Sequence, residues 1–214
     1  SMTSLALVRP VADPLLQSFV RPAAVQIIAP RGVALCGYPG AGKTTVAEIL
    51  EELYGVRPVD DGHVLREFAV EKLGLGWDDV RTQAGKARTT EILGRTWQNR
   101  EILGEFGKLL EGMFGEHILP FIATRGLQPG RIYSFPSCRK GQGHFYRSWG
   151  GICVEVIKSG TGPKFDFDHY DAAAAQFVIN NHTLDRDTLV AEVRRVFDPI
   201  LSPVPAPEAR FDVV

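Results

Sequence analysis

The stretch Gly37–Thr45 constrains this chain more than any other part of its sequence. It reads Gly-Tyr-Pro-Gly-Ala-Gly-Lys-Thr-Thr and matches the pattern G-x-x-x-x-G-K-[ST] at every fixed position. The apolar segment Gly32–Cys36 precedes it and predicts a buried strand, while Thr44–Tyr54 carries apolar residues at helical spacing and ends before Gly55. A strand, a glycine-rich loop and a helix in this order point backbone N–H groups and a helix N-terminus at a phosphate.

This pattern predicts that the chain binds a nucleoside triphosphate, with ATP and Mg²⁺ as cofactors. The residues predicted to hold the nucleotide are Gly37, Tyr38, Pro39, Gly40, Ala41, Gly42, Lys43, Thr44 and Thr45. In loops of this type the lysine, here Lys43, contacts the β- and γ-phosphates, and the next hydroxyl, here Thr44, coordinates Mg²⁺. The segment Ile132–Phe135 is not followed by the aspartate that usually supports this metal.

The composition is that of an ordinary globular domain. The 214 residues are 44% hydrophobic and 23% charged, with a formal net charge of -1. A chain of this length can bury a full core. Its near-neutral balance gives no global attraction to nucleic acid or to an anionic membrane, so a polyanion would have to be held by a local patch. No apolar run reaches the length of about 18 residues that a membrane span requires, and we expect no membrane association.

The cysteine pattern favours a reducing compartment. Cys36, Cys138 and Cys153 show no C-x-x-C spacing, and two of them lie in apolar, strand-like segments. Buried, reduced thiols are typical of cytoplasmic proteins. We therefore expect a cytoplasmic location.

Apolar β-branched segments alternate with segments of helical periodicity along the chain. After Gly32–Cys36, the predicted strands are Val56–Val59, Arg131–Phe135, Ile152–Ile157 and Gln176–Asn181. After the first helix, the predicted helices are His63–Leu73, a long helix capped by Thr96 and ending at Gly115, and Leu184–Phe197. This alternation predicts an α/β fold, with three α/β/α layers around a mostly parallel sheet of about five strands.

The predicted organisation has three parts. Residues 1–31 form an N-terminal extension, with a short helix at Leu15–Val20 and an extra edge strand near Val25–Ile28. Residues 32–198 form the P-loop domain. Residues 199–214 form a proline-rich tail that we expect to be loosely attached.

Asp60 and Asp61 follow the predicted strand Val56–Val59 directly. In an open α/β sheet, ligands lie outside the carboxyl ends of the strands, so these carboxylates are expected to face the phosphate loop. Asp61 could serve as the N-cap of the helix His63–Leu73. Because a cap needs only one carboxylate, we predict a catalytic role for the pair, either as general base or, through water, in support of the metal ion.

Basic residues in the middle of the chain are candidates for holding an anionic substrate. Lys86 and Arg88 lie in the weakly periodic stretch Trp77–Thr90, which is typical of a substrate-facing region. Arg95 and Arg100 lie at the start of the predicted long helix, where their charge opposes the helix dipole. That placement is favourable if an anion binds nearby.

A second basic pair follows the strand Arg131–Phe135. Arg139 and Lys140 lie there among small residues, where a lid over transferring phosphates would be placed, although a plain surface loop is an equal alternative. We predict that Arg139, assisted by Lys140, stabilises charge on the transferring phosphoryl group.

Several of these motifs resemble the P-loop nucleoside monophosphate kinases. The ending Phe177–Leu184 is similar to the asparagine-containing turn that follows the last strand of that group, near the adenine. Arg100–Gly107 resembles the R-x-x-L-x-x-x-G helix of phage deoxynucleoside monophosphate kinases, and Arg139 with Gly150-Gly151 resembles their arginine loop and glycine turn. The acidic residue expected after that arginine is replaced by Gln142-Gly143. The resemblance covers roughly residues 32–197 and implies a P-loop kinase domain.

A second resemblance concerns the acceptor. Gly37–Thr44 followed by Asp60, Asp61 and Arg66 is similar to the pattern of phage polynucleotide kinases, in which an aspartate is the general base and an arginine helps at the phosphates. A phosphate acceptor is already an anion and needs no base, whereas a hydroxyl acceptor has to lose a proton. The resemblance therefore implies a hydroxyl acceptor.

A substrate that carries both a hydroxyl and phosphates satisfies the carboxylates and the cations together. The phage kinases that phosphorylate 5-hydroxymethyluracil within DNA, a step in thymidine hypermodification, act on such a substrate. Thr82–Lys86 through Arg100–Gly104 also resembles that group. The resemblance implies a nucleotide or DNA substrate in the cytoplasm of a phage host, held by Arg66, Lys86 and Arg100.

Two other functions stay open at this point. One is a deoxynucleoside monophosphate kinase, with a phosphate as acceptor. The other is an NTP-binding switch without phosphotransfer, because the strand Ile132–Phe135 lacks a metal-binding carboxylate. The sequence does not determine the oligomeric state.

Overall fold

The structure of the chain is a computed structural model that describes residues 29–183 and 185–205. Its strands are β1 (Gly32–Cys36), β2 (Arg57–Pro58), β3 (Thr89–Ile92), β4 (Arg95–Gln98), β5 (Tyr133–Phe135), β6 (Ile152–Ile157) and β7 (Phe177–Asn180). Its helices are α1 (Lys43–Tyr54), α2 (His63–Leu73), α3 (Trp77–Arg81), α4 (Gln83–Ala87), α5 (Asn99–Phe114), α6 (Ile118–Thr124), α7 (Gln142–Ser148) and α8 (Arg186–Phe197).

A parallel sheet of five strands in the order β2-β5-β1-β6-β7 lies at the centre. Strand β1 is its middle strand, because Val33 pairs with Ser134 of β5 on one side and with Ile152 of β6 on the other. All of its residues are buried, as expected for a strand covered on both faces. The predicted α/β fold with a mostly parallel sheet is confirmed.

Helices cover both faces of this sheet. Along β1, Val33 and Leu35 contribute to a core with α1 and α8, while Ala34 and Cys36 contribute to a second core with α7. This alternation follows from the two-residue period of a strand. The three cysteines are buried free thiols, as predicted. The parallel strands therefore end together at one edge, where the loops after β1, β2 and β5 meet.

A helical lobe lies between β2 and β5 along the chain. It comprises α2–α6 and has a small core of its own, formed by Ala69, Leu75, Val80 and Ile102. The predicted helix His63–Leu73 is confirmed as α2. The weakly periodic stretch Trp77–Thr90 forms two short helices, α3 and α4, which the sequence did not predict. No helix among the described residues is both long and apolar enough to cross a membrane.

The predicted N-cap at Thr96 is wrong, because Thr96 lies in a β-hairpin formed by β3 and β4. Leu93 and Gly94 both have positive φ angles, 51° and 78°, and form the two-residue turn. Trp97 packs with Ile92 against the small core of the lobe, and it does so as a residue of strand β4 rather than of a helix. The long helix α5 begins after the hairpin, at Asn99, and Arg95 lies in β4 rather than in the helix.

The predicted N-cap at Asp61 is also wrong. Gly62 is the capping residue of α2, and it has no side chain to accept a bond. Strands β2 and β5 are each shorter than the predicted Val56–Val59 and Arg131–Phe135.

The chain ends of the prediction are described only in part. The helix at Leu15–Val20 and the strand near Val25–Ile28 lie outside the described residues, as does the tail beyond residue 205. Between residues 199 and 205, Leu201 is buried and the amide of Val204 donates to the carbonyl of Leu53 at 2.8 Å. This part of the tail is held against α1, so the expectation of loose attachment is wrong for it.

We expect Gly85→Ala to destabilise the protein by roughly 2 kcal/mol or more, because overpacking forces a backbone shift. A Cβ atom at Gly85 would lie 1.9 Å from the carbonyl oxygen of Asp78, where α4 approaches α3. Denaturant unfolding of the variant measures the change. Gly112 of α5 is the matched control, since a Cβ there meets nothing within 4 Å.

Gly112→Ala should stabilise the protein by about 0.5–1 kcal/mol, the ordinary gain for alanine over glycine within a helix. Equal effects of the two substitutions would contradict the close approach of α3 and α4.

Candidate active site

The loop between β1 and α1 has the backbone of a phosphate-binding loop. Gly37, Gly40 and Gly42 have φ angles of 152°, 80° and 102°, which residues with a side chain rarely adopt. Gly42 precedes α1 and supplies no side-chain cap, so the first amides of the helix are not capped from within the loop. These amides and the positive end of the helix dipole can bind phosphate oxygens.

Neighbouring strands fix this loop by close contact. A Cβ atom on Gly37 would lie 2.5 Å from the carbonyl oxygen of Val156, and one on Gly42 would lie 2.4 Å from Nδ2 of Asn181. Asn181 is buried after β7, and its Nδ2 donates to the carbonyl of Ala41 at 2.8 Å. The loop therefore depends on the end of a strand that lies far away in sequence.

Lys43 is folded back onto the loop. Its Nζ donates to the carbonyl of Gly37 at 2.5 Å and to that of Tyr38 at 3.4 Å. Burial lowers the pKa of its ammonium group, and the charge of Arg139 lowers it further, while Asp168 acts in the opposite direction. Phosphates that enter the loop would replace the carbonyl partners of this ammonium group.

A cavity of about 610 Å³ adjoins the loop. Its lining includes most of the predicted nucleotide-binding residues, with further residues from the loops after β5 and β6 and from the segment around the start of α8. The lining residues are Tyr38, Pro39, Gly40, Gly42, Lys43, Thr44, Thr45, Pro136, Ser137, Lys158, Asn181, Thr183, Asp185, Arg186 and Leu189. A cavity of this size matches a small-molecule site. We assign it as the candidate donor site.

The two aspartates after β2 have different surroundings. Asp60 is paired with Arg66, with Nη1 and Oδ2 2.6 Å apart, and its Oδ1 also accepts from the amide of Gly62 at 3.0 Å. Nε of Arg66 donates to the carbonyl of Val80 at 3.1 Å. Asp60 is thus engaged in orienting Arg66 and has little freedom to accept a substrate proton.

Asp61 is buried, with 6% of its surface exposed. Burial raises the pKa of its carboxyl group to about 6, which the charge of Arg139 opposes and that of Asp60 reinforces. Burial, followed by the charge of Asp61, also raises the pKa of the Tyr146 phenol. Within the described residues, the buried hydroxyl of Tyr146 has no hydrogen-bond partner. A carboxylate with a pKa near neutrality is suited to exchanging a proton.

The predicted substrate-binding cations influence one another through their charges. Burial lowers the pKa of Lys86, followed in effect by the charges of Arg66 and Arg100 and, more weakly, of Arg139. Nη2 of Arg100 donates to Oε1 of Gln83 at 3.0 Å. Because the charges of Arg66, Arg100 and Arg139 all act on Lys86, we call these four residues the cation cluster. The substrate-binding roles of Arg66, Lys86 and Arg100 and the catalytic role of Arg139 stay predictions.

Three other basic residues lie apart from this cluster or are paired. Arg95 pairs with Glu101 at 3.1 Å and covers the ring of Trp97 at 3.6 Å. Arg88 pairs with Asp79 at 3.0 Å. Lys140, expected to assist Arg139, pairs instead with Glu111 of α5.

The donor set fits Mg²⁺ only when phosphates supply most of its ligands. Thr44 is the second residue of α1 and lines the donor cavity. Strand β5 is followed by Pro136 and Ser137, which also line this cavity, rather than by an aspartate. No cluster of three His, Cys, Asp or Glu side chains that could hold a metal ion occurs among the described residues. Mg²⁺ usually keeps several waters and binds through substrate phosphates, so Thr44 suffices as a direct ligand.

The structure adds contacts of two residues that the sequence did not predict. The resemblance placed the turn containing Asn181 near the adenine, and the structure adds that its side chain supports the loop backbone. Tyr146 carried no sequence signal, because the charge of Asp61 acts on it only when α7 packs against the sheet. A buried asparagine that follows a strand is the kind of signal that could have identified the first.

Comparison with known proteins gives limited further information. The AAA domain family (AAA_18) matches residues 33–116, less than half of the chain. None of the curated proteins matches in sequence. The matched segment contains the phosphate loop, both aspartates and three members of the cation cluster, and it ends before Arg139.

Solved structures with a similar arrangement include three kinases. Shikimate kinase from Bacteroides thetaiotaomicron is 17% identical, over 80% of this chain and 98% of that chain, with a TM-score of 0.37. APS kinase from Mycobacterium tuberculosis is 16% identical, over 79% and 98%, with a TM-score of 0.37. Dephospho-CoA kinase from Campylobacter jejuni is 13% identical, over 80% and 97%, with a TM-score of 0.37. Similarity at this level assigns neither an activity nor a substrate to this chain.

We expect Asn181→Ala to weaken ATP binding about tenfold, because it leaves the carbonyl of Ala41 without its partner. Isothermal titration calorimetry measures the dissociation constant. Asn180→Ala is the matched control, since the neighbouring Asn180 is exposed and its backbone amide, which the substitution keeps, donates to Oε2 of Glu192 at 3.3 Å. Equal affinities of the two variants would contradict a supporting role for Asn181.

The buried carboxyl group of Asp61 also predicts a pH-dependent stability. Its folded pKa of about 6 lies above its ordinary value of 3.8, so the folded state binds the proton more tightly and stability falls as pH rises between these values. Above pH 6 the ionised carboxylate costs roughly 2–3 kcal/mol. Asp61→Asn should therefore raise the free energy of unfolding at pH 7 and flatten its decrease between about pH 4 and 6.

Urea unfolding at several pH values checks this expectation. Asp78→Asn is the control, because Asp78 is exposed on α3, and it should keep the wild-type pH dependence. An Asp61→Asn curve that overlays the wild-type curve would show that the carboxyl group is not desolvated.

Proposed function

We propose that this chain is a P-loop kinase that moves the γ-phosphate of ATP to a hydroxyl group on a deoxynucleotide. We propose further that the acceptor is the hydroxymethyl group of 5-hydroxymethyluracil in phage DNA. The observation that carries the proposal is the buried carboxyl group of Asp61, whose pKa is raised to about 6 by burial and lowered in part by the charge of Arg139. The charge of Arg139 also acts on Lys43 of the phosphate loop, where it lowers the pKa of the ammonium group.

A carboxylate in this position is useful for one class of acceptor. A hydroxyl group has to lose its proton as it attacks the γ-phosphorus. A general base whose pKa lies near the working pH accelerates that step by about 10²–10⁴. A phosphate acceptor has no proton to lose at neutral pH. Asp61 therefore supports a hydroxyl acceptor, and Asp60, which is held by Arg66, is the positioning partner of the pair.

The cation cluster supports an acceptor that also carries phosphates. Arg66, Lys86 and Arg100 come from the helical lobe, whereas Arg139 comes from the loop after β5. Grouped cations repel one another, and this repulsion contributes to the lowered pKa of Lys86. An anionic substrate would relieve it, and a DNA backbone supplies such anions.

In the proposed reaction the acceptor oxygen bonds to the γ-phosphorus as the bond to the β-phosphate oxygen breaks. Asp61 takes the proton from the attacking hydroxyl, while ADP leaves with the electron pair of the broken bond. Lys43 and Arg139 stabilise the charge on the transferring group. When bound through Thr44, Mg²⁺ would neutralise charge on the phosphates.

The cation cluster also favours a second candidate, a deoxynucleoside monophosphate kinase. Such an enzyme needs positive clamps on its acceptor phosphate and no base. A third possibility is an NTP-binding switch, in keeping with the absence of a carboxylate after β5. The next experiment separates all three.

We expect Asp61→Asn to lower kcat for a hydroxyl acceptor by about 10²–10⁴, because it removes the base. Asp60→Asn is the matched control; it should mainly raise KM for the acceptor, since it frees Arg66. The wild-type rate should rise with pH through about 6, and Asp61→Asn should lose this dependence. Transfer of labelled γ-phosphate from ATP to hydroxymethylated DNA measures the rates.

Other results would exclude the proposal. Undiminished transfer by Asp61→Asn to a deoxynucleoside monophosphate would favour the second candidate. ATP hydrolysis with no labelled acceptor would favour the switch.

Binding of DNA should weaken with salt although the chain is nearly neutral. Three phosphate contacts, from Arg66, Lys86 and Arg100, would give a slope of roughly -3 in a plot of log K against log salt. Lys86→Ala should reduce this slope by about 1, while Lys108→Ala on the exposed face of α5 should not change it. Fluorescence anisotropy at several salt concentrations gives the slopes, and a flat plot would contradict a DNA acceptor.

A further inference from the structure

The turn of the hairpin β3–β4 contains a residue that local structure does not explain. Leu93 has a φ angle of 51° and is 101% exposed, and Gly94 follows with a φ angle of 78°. The two strands pair from Thr89–Gln98 to Ile92–Arg95, so Leu93 and Gly94 form the outermost turn.

A leucine at this position is unfavourable in two ways. A two-residue turn with two positive φ angles prefers asparagine or aspartate before the glycine, and leucine in this conformation costs about 1–2 kcal/mol. Full exposure also leaves the whole side chain in water, where it gains nothing from burial. A strained, exposed apolar residue in a well-formed turn is an outlier that points to a contact outside the chain.

The hairpin is rigidly attached at its base. Asn99 is fully buried there; its Nδ2 donates to the carbonyl of Gly85 at 2.8 Å and its Oδ1 accepts from the hydroxyl of Thr90 at 2.6 Å. Ile92 and Trp97 pack on the small core of the lobe. Leu93 is thus presented on a firm support.

The hairpin also rises directly from the cation cluster. It connects α4, which carries Lys86, with α5, whose second residue is Arg100. A strand of four residues is about 13 Å long, so Leu93 and these cations can contact one duplex at points a few base pairs apart. Arg95, two positions beyond Leu93, is stacked on Trp97. Positive charge at the base of the hairpin and an apolar tip complement a phosphate backbone beside stacked bases.

We propose that Leu93 inserts between stacked bases of duplex DNA and holds the target nucleotide out of the helix. The proposal rests on the proposed function, in which the acceptor is a base in DNA. An enzyme that reacts with a base in a duplex has to extrude it, at a cost of a few kcal/mol. Proteins that open a base step commonly insert leucine, phenylalanine, isoleucine or methionine.

The test compares Leu93→Asn with the wild-type protein on duplex and on single-stranded DNA containing one 5-hydroxymethyluracil. Asparagine suits the turn, so the unfolding midpoint of the variant should be equal to or above that of the wild type. Its kcat/KM should fall about tenfold or more on the duplex and less than about twofold on the single strand, where no base has to be unstacked. Leu109→Ala is the matched control, because Leu109 is also exposed but lies on α5.

A second measurement does not depend on phosphate transfer. 2-Aminopurine placed next to the target base fluoresces more strongly when it is unstacked; the wild type and Leu109→Ala should increase this signal in the duplex and Leu93→Asn should not. If no DNA is phosphorylated but this difference is seen, the proposed function fails and the insertion of Leu93 holds.

Three results would overturn the proposed insertion. The first is an equal loss of activity of Leu93→Asn on duplex and on single-stranded DNA, and the second is no loss on either substrate. The third is a 2-aminopurine signal that is the same for Leu93→Asn and for the wild type. A shift of Leu93→Asn to a smaller oligomer, with these DNA readouts unchanged, would show that the hairpin contacts a second copy of the chain instead.

Discussion

The contact of the phosphate loop with the ends of β6 and β7 is the constraint on which the rest of the site depends. Gly37 and Gly42 leave no room for a side chain beside Val156 and Asn181, and the amide of Asn181 holds the carbonyl of Ala41. This contact requires β1 to be the central strand, with parallel neighbours that end at the same edge. The donor cavity and Lys43 are positioned by it.

The acceptor side is organised by charge rather than by backbone geometry. Asp60 is matched by Arg66 in a close pair, whereas Asp61 is buried and keeps its proton more tightly than an exposed aspartate. Lys86 and Arg100 add positive charge, and neither has a carboxylate partner of comparable closeness among residues 29–183 and 185–205. The proposed function requires both features: the phosphates of the acceptor would neutralise the excess positive charge, and the carboxylate of Asp61 would take the proton of its hydroxyl group.

The sequence was sufficient for the elements whose signals are local. The motif Gly37–Thr45, the strand Ile152–Ile157 and the helix His63–Leu73 follow from spacing and turn residues, and the structure confirms them. The hairpin around Leu93 could not be predicted, because leucine is not a usual residue for such a turn. The contact of Asn181 with Ala41 and the effect of Asp61 on Tyr146 were not predicted, since both depend on tertiary packing between segments far apart in the chain.

The most direct test of the account is the identity of the phosphorylated product. Wild-type protein is incubated with γ-labelled ATP and, in separate reactions, with DNA containing 5-hydroxymethyluracil, with the same DNA containing thymine, and with deoxynucleoside monophosphates. The account predicts a labelled phosphate monoester on the hydroxymethyl group of the first substrate alone. Labelled deoxynucleoside diphosphate, or release of phosphate without any labelled acceptor, would contradict it.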